Sequence, residues 1–369
     1  MSSAYRIKVD PEAAIPLATQ LSQQFSWLII SGALNEGDEL PPIQQLADEL
    51  GINVHTVRAG YQRLAANQLV TLGRGRRARV VGFDRSRPQD LGGKLPSYSI
   101  GVIIPEFVSF YAPLLAGIEA EAATQPAMVF VANAREDQTT AMRYLDRLVA
   151  KGVDGIIVTA ALVPPEATLP PPGQPPIVYV DAPGAPGPSV EFDLIGSQHL
   201  ATGHLIEHGH QRIGYITPPV ALPNVAPKLT GHNKALEVGG IEPDPQLVVE
   251  TQDFEVNSGR QAAEQLLRLE EPPTAIAAAS DALAVGTYQT ARDHDARIPD
   301  DLAVIGNDNT DISALMNPAL STVSLPTEKA GRLAVQTIND IRSGHQPAQA
   351  ILDVELVVRQ SCGCQTNRP

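Results

Sequence analysis

The sequence is poor in the residues that staple, anchor or export a chain. It has two cysteines in 369 residues, Cys362 and Cys364, one residue apart near the tail. So placed they cannot tie distant segments together, which excludes a disulfide framework, and an incidental pair of reduced thiols is the expectation. No apolar run is long enough to span a bilayer. The first residues hold no charged-then-apolar region with a cleavage site, which predicts a cytoplasmic chain. Catalytic signatures are missing too. There is no GxxxxGK(S/T) loop, no GxSxG elbow and no GxGxxG at a first βα turn. Neither an enzyme nor a cofactor is therefore expected. Basic charge is scarce overall, with 27 Lys and Arg against 41 Asp and Glu, a formal net of −14.

What is there begins with Leu40 to Val81. Ile43, Leu46, Ala47 and Leu50 recur at i, i+3, i+4 and i+7 and predict one apolar helical stripe. Pro41 and Pro42 suit its start and Gly51 its stop. A second helix is predicted from Val54 to Asn67, with Val57, Tyr61 and Leu64 facing inward. His55, Thr56 and Arg58 fall on its outward, N-terminal side. Leu69–Leu72 and Ala78–Val81 read as two short strands, with Gly73, Arg74, Gly75, Arg76 and Arg77 as the turn between them. This is the outline of a winged helix-turn-helix, whose second helix fits the DNA major groove. The arginines of the turn would reach phosphate or minor groove.

Charge agrees with that outline. From Arg58 to Arg87 there are eight arginines and one acid, Asp84. Residues 1–90 carry a net +1, and residues 91–369 a net −15. A basic patch on an acidic chain is an electrostatic footprint for nucleic acid.

The same residues carry a resemblance. Ile15 to Val81 resembles the DNA-binding domain of the GntR family of bacterial regulators, through SGALNEGDELP (Ser31 to Pro41), LADELGI (Leu46 to Ile52), TVR (Thr56 to Arg58), YQRLAANQLV (Tyr61 to Val70) and GRG (Gly73 to Gly75). The resemblance implies DNA contacts at Gln44, Asn53, His55, Thr56, Arg58, Arg74, Gly75, Arg76 and Arg77. The family usually has Ser and Arg where this chain has Pro42 and Gln44, and Ser-Arg where it has Asn53 and Val54. The operator sequence does not carry over.

Phe83 to Ser97 is polar, holds Pro88, Gly92, Gly93 and Pro96, lacks apolar periodicity, and reads as a linker between a head at 1–82 and a body at 98–369. In the body, short apolar runs alternate with helical patterns. The runs are Tyr98–Pro105, Ala127–Asn133, Val153–Thr159, Pro176–Asp181, Arg212–Thr217, Ala275–Ser280 and Leu302–Asp308. That alternation predicts an α/β body of parallel sheets covered on both faces, and the length fits two lobes. Ligands bind such sheets at the carboxyl ends of strands. Thr159, Asp181, Asp281 and Asp308 lie at or just past strand ends, and together they suit a polyhydroxylated ligand.

Ser99 to Cys362 is similar to the effector domain of the LacI family, itself shaped like periplasmic sugar-binding proteins. The matching motifs are VDGII (Val153 to Ile157), HLIEHGHQRIGYI (His204 to Ile216), SDALAVG (Ser280 to Gly286), LAVIGND (Leu302 to Asp308) and PALSTVSLPTEKAG (Pro318 to Gly331). The pairing of head and body resembles the bacterial arabinose-operon repressors. The resemblance implies a two-lobed body, lobe 1 at about 98–188 and 326–344, lobe 2 at about 189–323 and 350–362. It implies ligand contacts from Phe110, Ala112, Pro113, Thr159, Asp181, Lys228, Phe254, Ser280 and Asp308. The family commonly has Arg at the position of Lys228 and Asn at that of Ser280.

His199, His204, His208 and His210 cluster, and His204 and His208 stand at i, i+4 as zinc ligands on a helix do. No HExxH is present, His210 sits in a GH motif before a strand, and no metal is expected. The ten prolines from Pro164 to Pro188 are expected to shape loops around the Pro176–Asp181 run. The expected function is that of a dimeric regulator, a repressor, that binds operator DNA and answers to a small ligand, a sugar. A nucleoside or purine ligand, an activating role, and a solute-binding protein are the alternatives.

Overall fold

The computed structural model describes residues 7, 9, 16–30, 34–73, 77–81, 98–124, 127–160, 162, 175–345 and 349–364, with only the backbone described at 23, 27 and 30. Two compact units emerge, residues 1–97 and 98–369. The expected linker, 83–97, lies outside the described residues, as do Arg74, Gly75 and Arg76 and the whole stretch from Pro164 to Gln174.

The head is built from α1 (Leu17–Ile30), α2 (Ile43–Leu50), α3 (Val54–Ala66) and a two-stranded antiparallel ribbon, β1 (Val70–Thr71) and β2 (Arg79–Val80). Its core is the predicted stripe and more: Leu21, Phe25, Leu40, Leu46, Val57, Tyr61, Leu64 and Val80 are all buried. Phe25 and Tyr61 meet edge to face at 5.6 Å, and the Tyr61 hydroxyl donates to the Pro41 carbonyl at 2.8 Å. Gly51 ends α2 in the left-handed region at φ 64°, and its N–H caps carbonyls of the last turn. Two residues later Asn53 opens α3, its side chain accepting from the His55 N–H at 2.7 Å. The tight turn between the helices is thus a left-handed stop followed by a side-chain start.

The body holds two six-stranded sheets. The first contains β3 (Tyr98–Ile104), β4 (Ala127–Asn133), β5 (Gly155–Thr159), β6 (Ile177–Val180), β7 (Ser189–Phe192) and β13 (Ala350–Leu352), in the order β13-β7-β6-β5-β3-β4, every pair parallel. Helices α4 (Tyr111–Ala122) and α11 (Thr327–Arg342) cover one face, and α5 (Gln138–Lys151) the other. The second sheet contains β8 (Ile213–Thr217), β9 (Val248–Glu250), β10 (Ala275–Ala278), β11 (Ala303–Asp308), β12 (Ser321–Ser324) and β14 (Glu355–Val357), in the order β14-β12-β11-β10-β8-β9. Only β14 runs antiparallel. Around it pack α6 (Leu194–Glu207), α7 (Ala226–Val238), α8 (Val256–Leu267) and α9 (Asp281–Asp293), and α10 (Asp311–Leu315) follows β11. The central strands β5, β6, β8 and β10 are buried along their whole length because both faces are covered.

The lobe boundaries move from those read in the sequence. β7 and β13 pair within the first sheet, Tyr179 beside Ser189 and Ala350 beside Val190. Residues 189–192 and 350–352 therefore belong to lobe 1, and the crossover into lobe 2 falls at Asp193. The bounds implied by the resemblance broke the chain before β7; the backbone ladder of β6 carries it past that point.

Close helix crossings are made possible by glycine. A Cβ on Gly117 would stand 2.0 Å from the Glu328 carbonyl oxygen, and one on Gly331 2.2 Å from that of Leu114. Helices α4 and α11 touch backbone to backbone there.

Candidate functional site

In the head, the outward side of α3 carries exposed His55 and Arg58 and half-buried Thr56, with Val57 on the opposite side buried completely. Gln44 is exposed on α2 and donates to Asp48 at 3.1 Å. Asn53 is exposed, but its oxygen is engaged in capping α3. The residue that departs from the family pattern thus has a local structural task. On the ribbon, Arg77 and Arg79 reach Glu39 at 3.4 and 3.3 Å. Both pairs are solvent-exposed and so weak, and phosphate can displace the carboxylate.

In the body, the polar residues gather where strand ends of the two sheets face each other. Asp181 follows β6 in lobe 1. Its φ of 54° turns the chain sharply and leaves the carboxylate buried. From lobe 2, Asn224 donates to Asp181 Oδ2 at 3.1 Å. Asp181 Oδ1 is buried with no hydrogen-bond partner. Burial pushes this carboxyl up to about 7, against the pull of Asn224 and Lys228.

Lys228 extends from the first turn of α7. It is buried, donates to the Ala279 carbonyl at 2.8 Å and stands 3.7 Å from Asp308 Oδ1. Asp308 ends β11 with φ 116° and is raised well above the usual carboxylate range. Burial is the main cause; Lys228 opposes it, and the nearby Asp281 and Asp181 add to it. Asp281 itself is taken up by the scaffold. Its two oxygens accept from Thr322 Oγ1 at 2.6 Å, from the Thr310 N–H at 2.7 Å and from Thr310 Oγ1 at 2.9 Å. These bonds fix the loop that follows Asp308.

The other expected contacts divide. Thr159, fully buried at the end of β5, donates to the Ile103 carbonyl at 3.2 Å. Ser280 caps α9, accepting from the Leu283 N–H at 3.3 Å, and its side chain is buried. Phe110 precedes α4 and packs its ring against Tyr111 at 5.1 Å, edge to face. Ala112 and Pro113 are exposed on the first turn of α4, and Phe254 is half-buried between Asp253 and Glu255.

Two residues were missed in the sequence. Tyr111 carries no site signal there, yet its phenol lies beside Thr159, close enough to Asp181 and Asp308 that both carboxylates add to the effect of burial and raise its pKa. Asn224 lies in an irregular loop with no periodicity to mark it. Around the opening, Glu136 of lobe 1 is raised by burial and by its neighbours Glu106, Asp253 and Glu255. The rim is acidic and the floor holds two carboxyl groups and one lysine.

A helix-turn-helix unit followed by a two-lobed α/β body with polar strand ends in a cleft defines a transcriptional regulator with a ligand-binding effector domain. Two family models match: bacterial regulatory proteins of the gntR family over residues 17–80, and the periplasmic binding protein-like domain over residues 202–362. The chain is 31% identical over 293 residues to the HTH-type transcriptional repressor CytR of Escherichia coli K12, covering 77% of this chain and 85% of that one. It is 32% identical over 249 residues to the ribose operon repressor of the same strain, covering 66% and 74%. Among solved structures, a LacI family transcriptional regulator from Enterococcus faecium with bound ribose is 27% identical, with a TM-score of 0.63 over 71% of this chain and 98% of that one. The chain belongs to the LacI family of transcriptional regulators and carries a GntR-type head. Among the described residues no helix is long and apolar enough to cross a membrane.

Proposed function

We propose that this regulator is a cytoplasmic repressor that binds two-fold operator DNA as a homodimer, and that a neutral polyhydroxylated ligand, a sugar or a sugar moiety, sets its DNA affinity from the cleft between the lobes. The observation that carries the ligand class is the unpartnered, buried Oδ1 of Asp181, opposite Asn224, Lys228 and Asp308. A buried carboxyl oxygen without a partner is costly, and a ligand hydroxyl relieves that cost. Two neighbouring hydroxyls would engage Asp181 and Asp308, with Lys228 and Asn224 donating to ring or hydroxyl oxygens. Tyr111 and Thr159 line the lobe 1 side, and Phe254 offers an aromatic face to the apolar side of a ring. The acidic rim disfavours an anionic ligand. The ribose held by the Enterococcus faecium relative supports the class.

On the DNA side, His55, Thr56 and Arg58 would read base edges. Gln44 would approach the backbone, Asn53 would hold the start of α3, and Arg74, Gly75, Arg76 and Arg77 would form the wing contact. The function is regulatory binding and not catalysis. It is tested by thermal shift of the full chain against a panel of pentoses, hexoses, nucleosides and free purines. A rise in Tm with a sugar or nucleoside, absent in Asp181→Asn, is the expected result. Stabilisation by free purine bases alone would overturn the choice of sugars.

A further inference from the structure

The two features set aside in the sequence, the histidine cluster and the Cys362–Cys364 pair, meet in space. His204 projects from the last turn of α6 and His208 from its C-cap, and the chain after β14 returns along lobe 2 to lay both thiols against them. His204 Nε2 stands 3.3 Å from Cys362 Sγ and 3.0 Å from Cys364 Sγ. The two sulfurs are 3.0 Å apart, and His208 Nε2 is 3.1 Å from Cys364 Sγ. The donor atoms of His204, Cys362 and Cys364 all lie within 4.8 Å of one another. The spacing was readable, an i, i+4 histidine pair and a Cys-x-Cys, but 154 residues separate His208 from Cys362 and nothing in the sequence joins them.

We propose that His204, His208, Cys362 and Cys364 form a binding site for a thiophilic divalent cation of the zinc(II) type. Three arguments converge. The donor set is two imidazoles and two thiols, the mixed N/S set that suits tetrahedral zinc. The surroundings are arranged as around a metal ligand. His208 Nδ1 sits 2.7 Å from the His204 carbonyl oxygen, which fixes the proton on Nδ1 and leaves the Nε2 lone pair facing Cys364. Ser321 Oγ donates to Cys362 Sγ at 3.1 Å, a bond that favours the thiolate. The third argument is scale. Bonds of about 2.3 Å to sulfur and about 2.0–2.1 Å to nitrogen at tetrahedral angles put ligand atoms roughly 3.3–3.8 Å apart. The three N···S pairs and the S···S pair stand at 3.0–3.3 Å, so an ion enters after these open by about half an ångström, which the exposed His208 and the half-exposed Cys364 can supply.

The site would be a clamp and not a catalytic centre. Cys362 is buried in the lobe 2 core, and its neighbour Ser361 donates to the Val304 carbonyl at 2.6 Å. A cation there ties the C-terminal strand return to α6, the helix that starts at the crossover between lobes. All four donors come from one chain, so the stoichiometry is one ion per protomer.

The test uses the full-length, untagged, reduced protein and cobalt(II) as a spectroscopic probe. Expected are saturation at one equivalent, intense thiolate-to-cobalt charge-transfer absorption with tetrahedral d–d bands, and loss of both on adding zinc. Cys364→Ser and His208→Ala, both at solvent-accessible positions, should each weaken cobalt affinity about tenfold or more. The same variants should keep the ligand-induced thermal shift of the cleft, which reports an intact body. Reduced protein that shows no charge-transfer band while both thiols titrate as free would overturn the proposal. So would a band that survives Cys364→Ser unchanged. Isolation of the protein with a Cys362–Cys364 disulfide that takes up no cobalt after reduction would overturn it in favour of a redox pair.

Discussion

Asp181 holds one carboxyl oxygen in a hydrogen bond from Asn224 and buries the other alone, and that asymmetry has a thermodynamic signature. In the unfolded chain the group ionises near about pH 4. In the folded chain burial holds the proton up to about 7. Between those limits the unfolded state releases a proton that the folded state keeps, so this group's contribution is present at low pH and is lost as pH rises through the window. Asp181→Asn should therefore gain about 2–3 kcal/mol on the wild type between about pH 5 and about pH 8 in urea unfolding, while losing the ligand-induced stabilisation. A difference that stays flat with pH would remove the buried carboxylate from the account. Asp308 acts in the same direction for the same reason. On DNA, Arg58→Ala should weaken specific binding by about 1–3 kcal/mol and relax the preference at one base position, read by competition gel shift. An unchanged sequence preference would reassign Arg58 to phosphate. Residues of this kind differed in how legible they were. Thr159, Asp181 and Asp308 could be found because a buried parallel strand ends where its apolar run ends. Tyr111 and Asn224 could not, since their roles depend on facing another lobe, a relation that no local pattern encodes.

At the scale of elements, the sequence was most legible where periodicity and breakers agree. The stripe at Ile43, Leu46, Ala47 and Leu50 with Gly51 behind it is α2 to the residue, and each of the seven apolar runs of the body holds a strand to within two residues, while β7, β9, β12, β13 and β14 were not among them. Asn53 shows what a departure from a family pattern can mean, because it gives up a DNA-facing identity and caps a helix. Asn53→Ala should cost the head about 1 kcal/mol in thermal or urea unfolding of its transition. A neutral result would show that the cap is not needed to start α3. The assignment of strands to sheets was less legible. β7 and β13 join the first sheet through backbone ladders that composition does not announce. The glycines at the α4–α11 crossing were equally silent, since a helical glycine looks like a weakness until a second backbone is seen against it. Gly117→Val, which sets side-chain atoms against the Glu328 carbonyl, should destabilise the body by at least about 2 kcal/mol. Unfolding at the wild-type midpoint would contradict that packing.

At the scale of the whole molecule, charge and architecture divide the labour. The positive charge is concentrated in residues 58–87, and the rest of the chain beyond residue 90 is net −15. The head is therefore the electrostatically favoured place for DNA, and affinity should fall steeply with salt, roughly a hundredfold or more between about 50 mM and about 200 mM. The cleft can influence that binding only if the ligand prefers one arrangement of the regulator over the other, by its differential affinity for the two. Both families could be read from the chain because their motifs run through whole domains, whereas the identity of the ligand could not, because it rests on a few side chains brought together from two lobes. The most direct measurement is operator affinity, by fluorescence anisotropy on DNA from upstream of the protein's own gene, with and without the sugar that gives the largest thermal shift, in the wild type and in Asp181→Asn. The account predicts that the sugar changes the wild-type Kd at least about fivefold and leaves the variant's unchanged. A wild-type Kd indifferent to a sugar that demonstrably fills the cleft would contradict it.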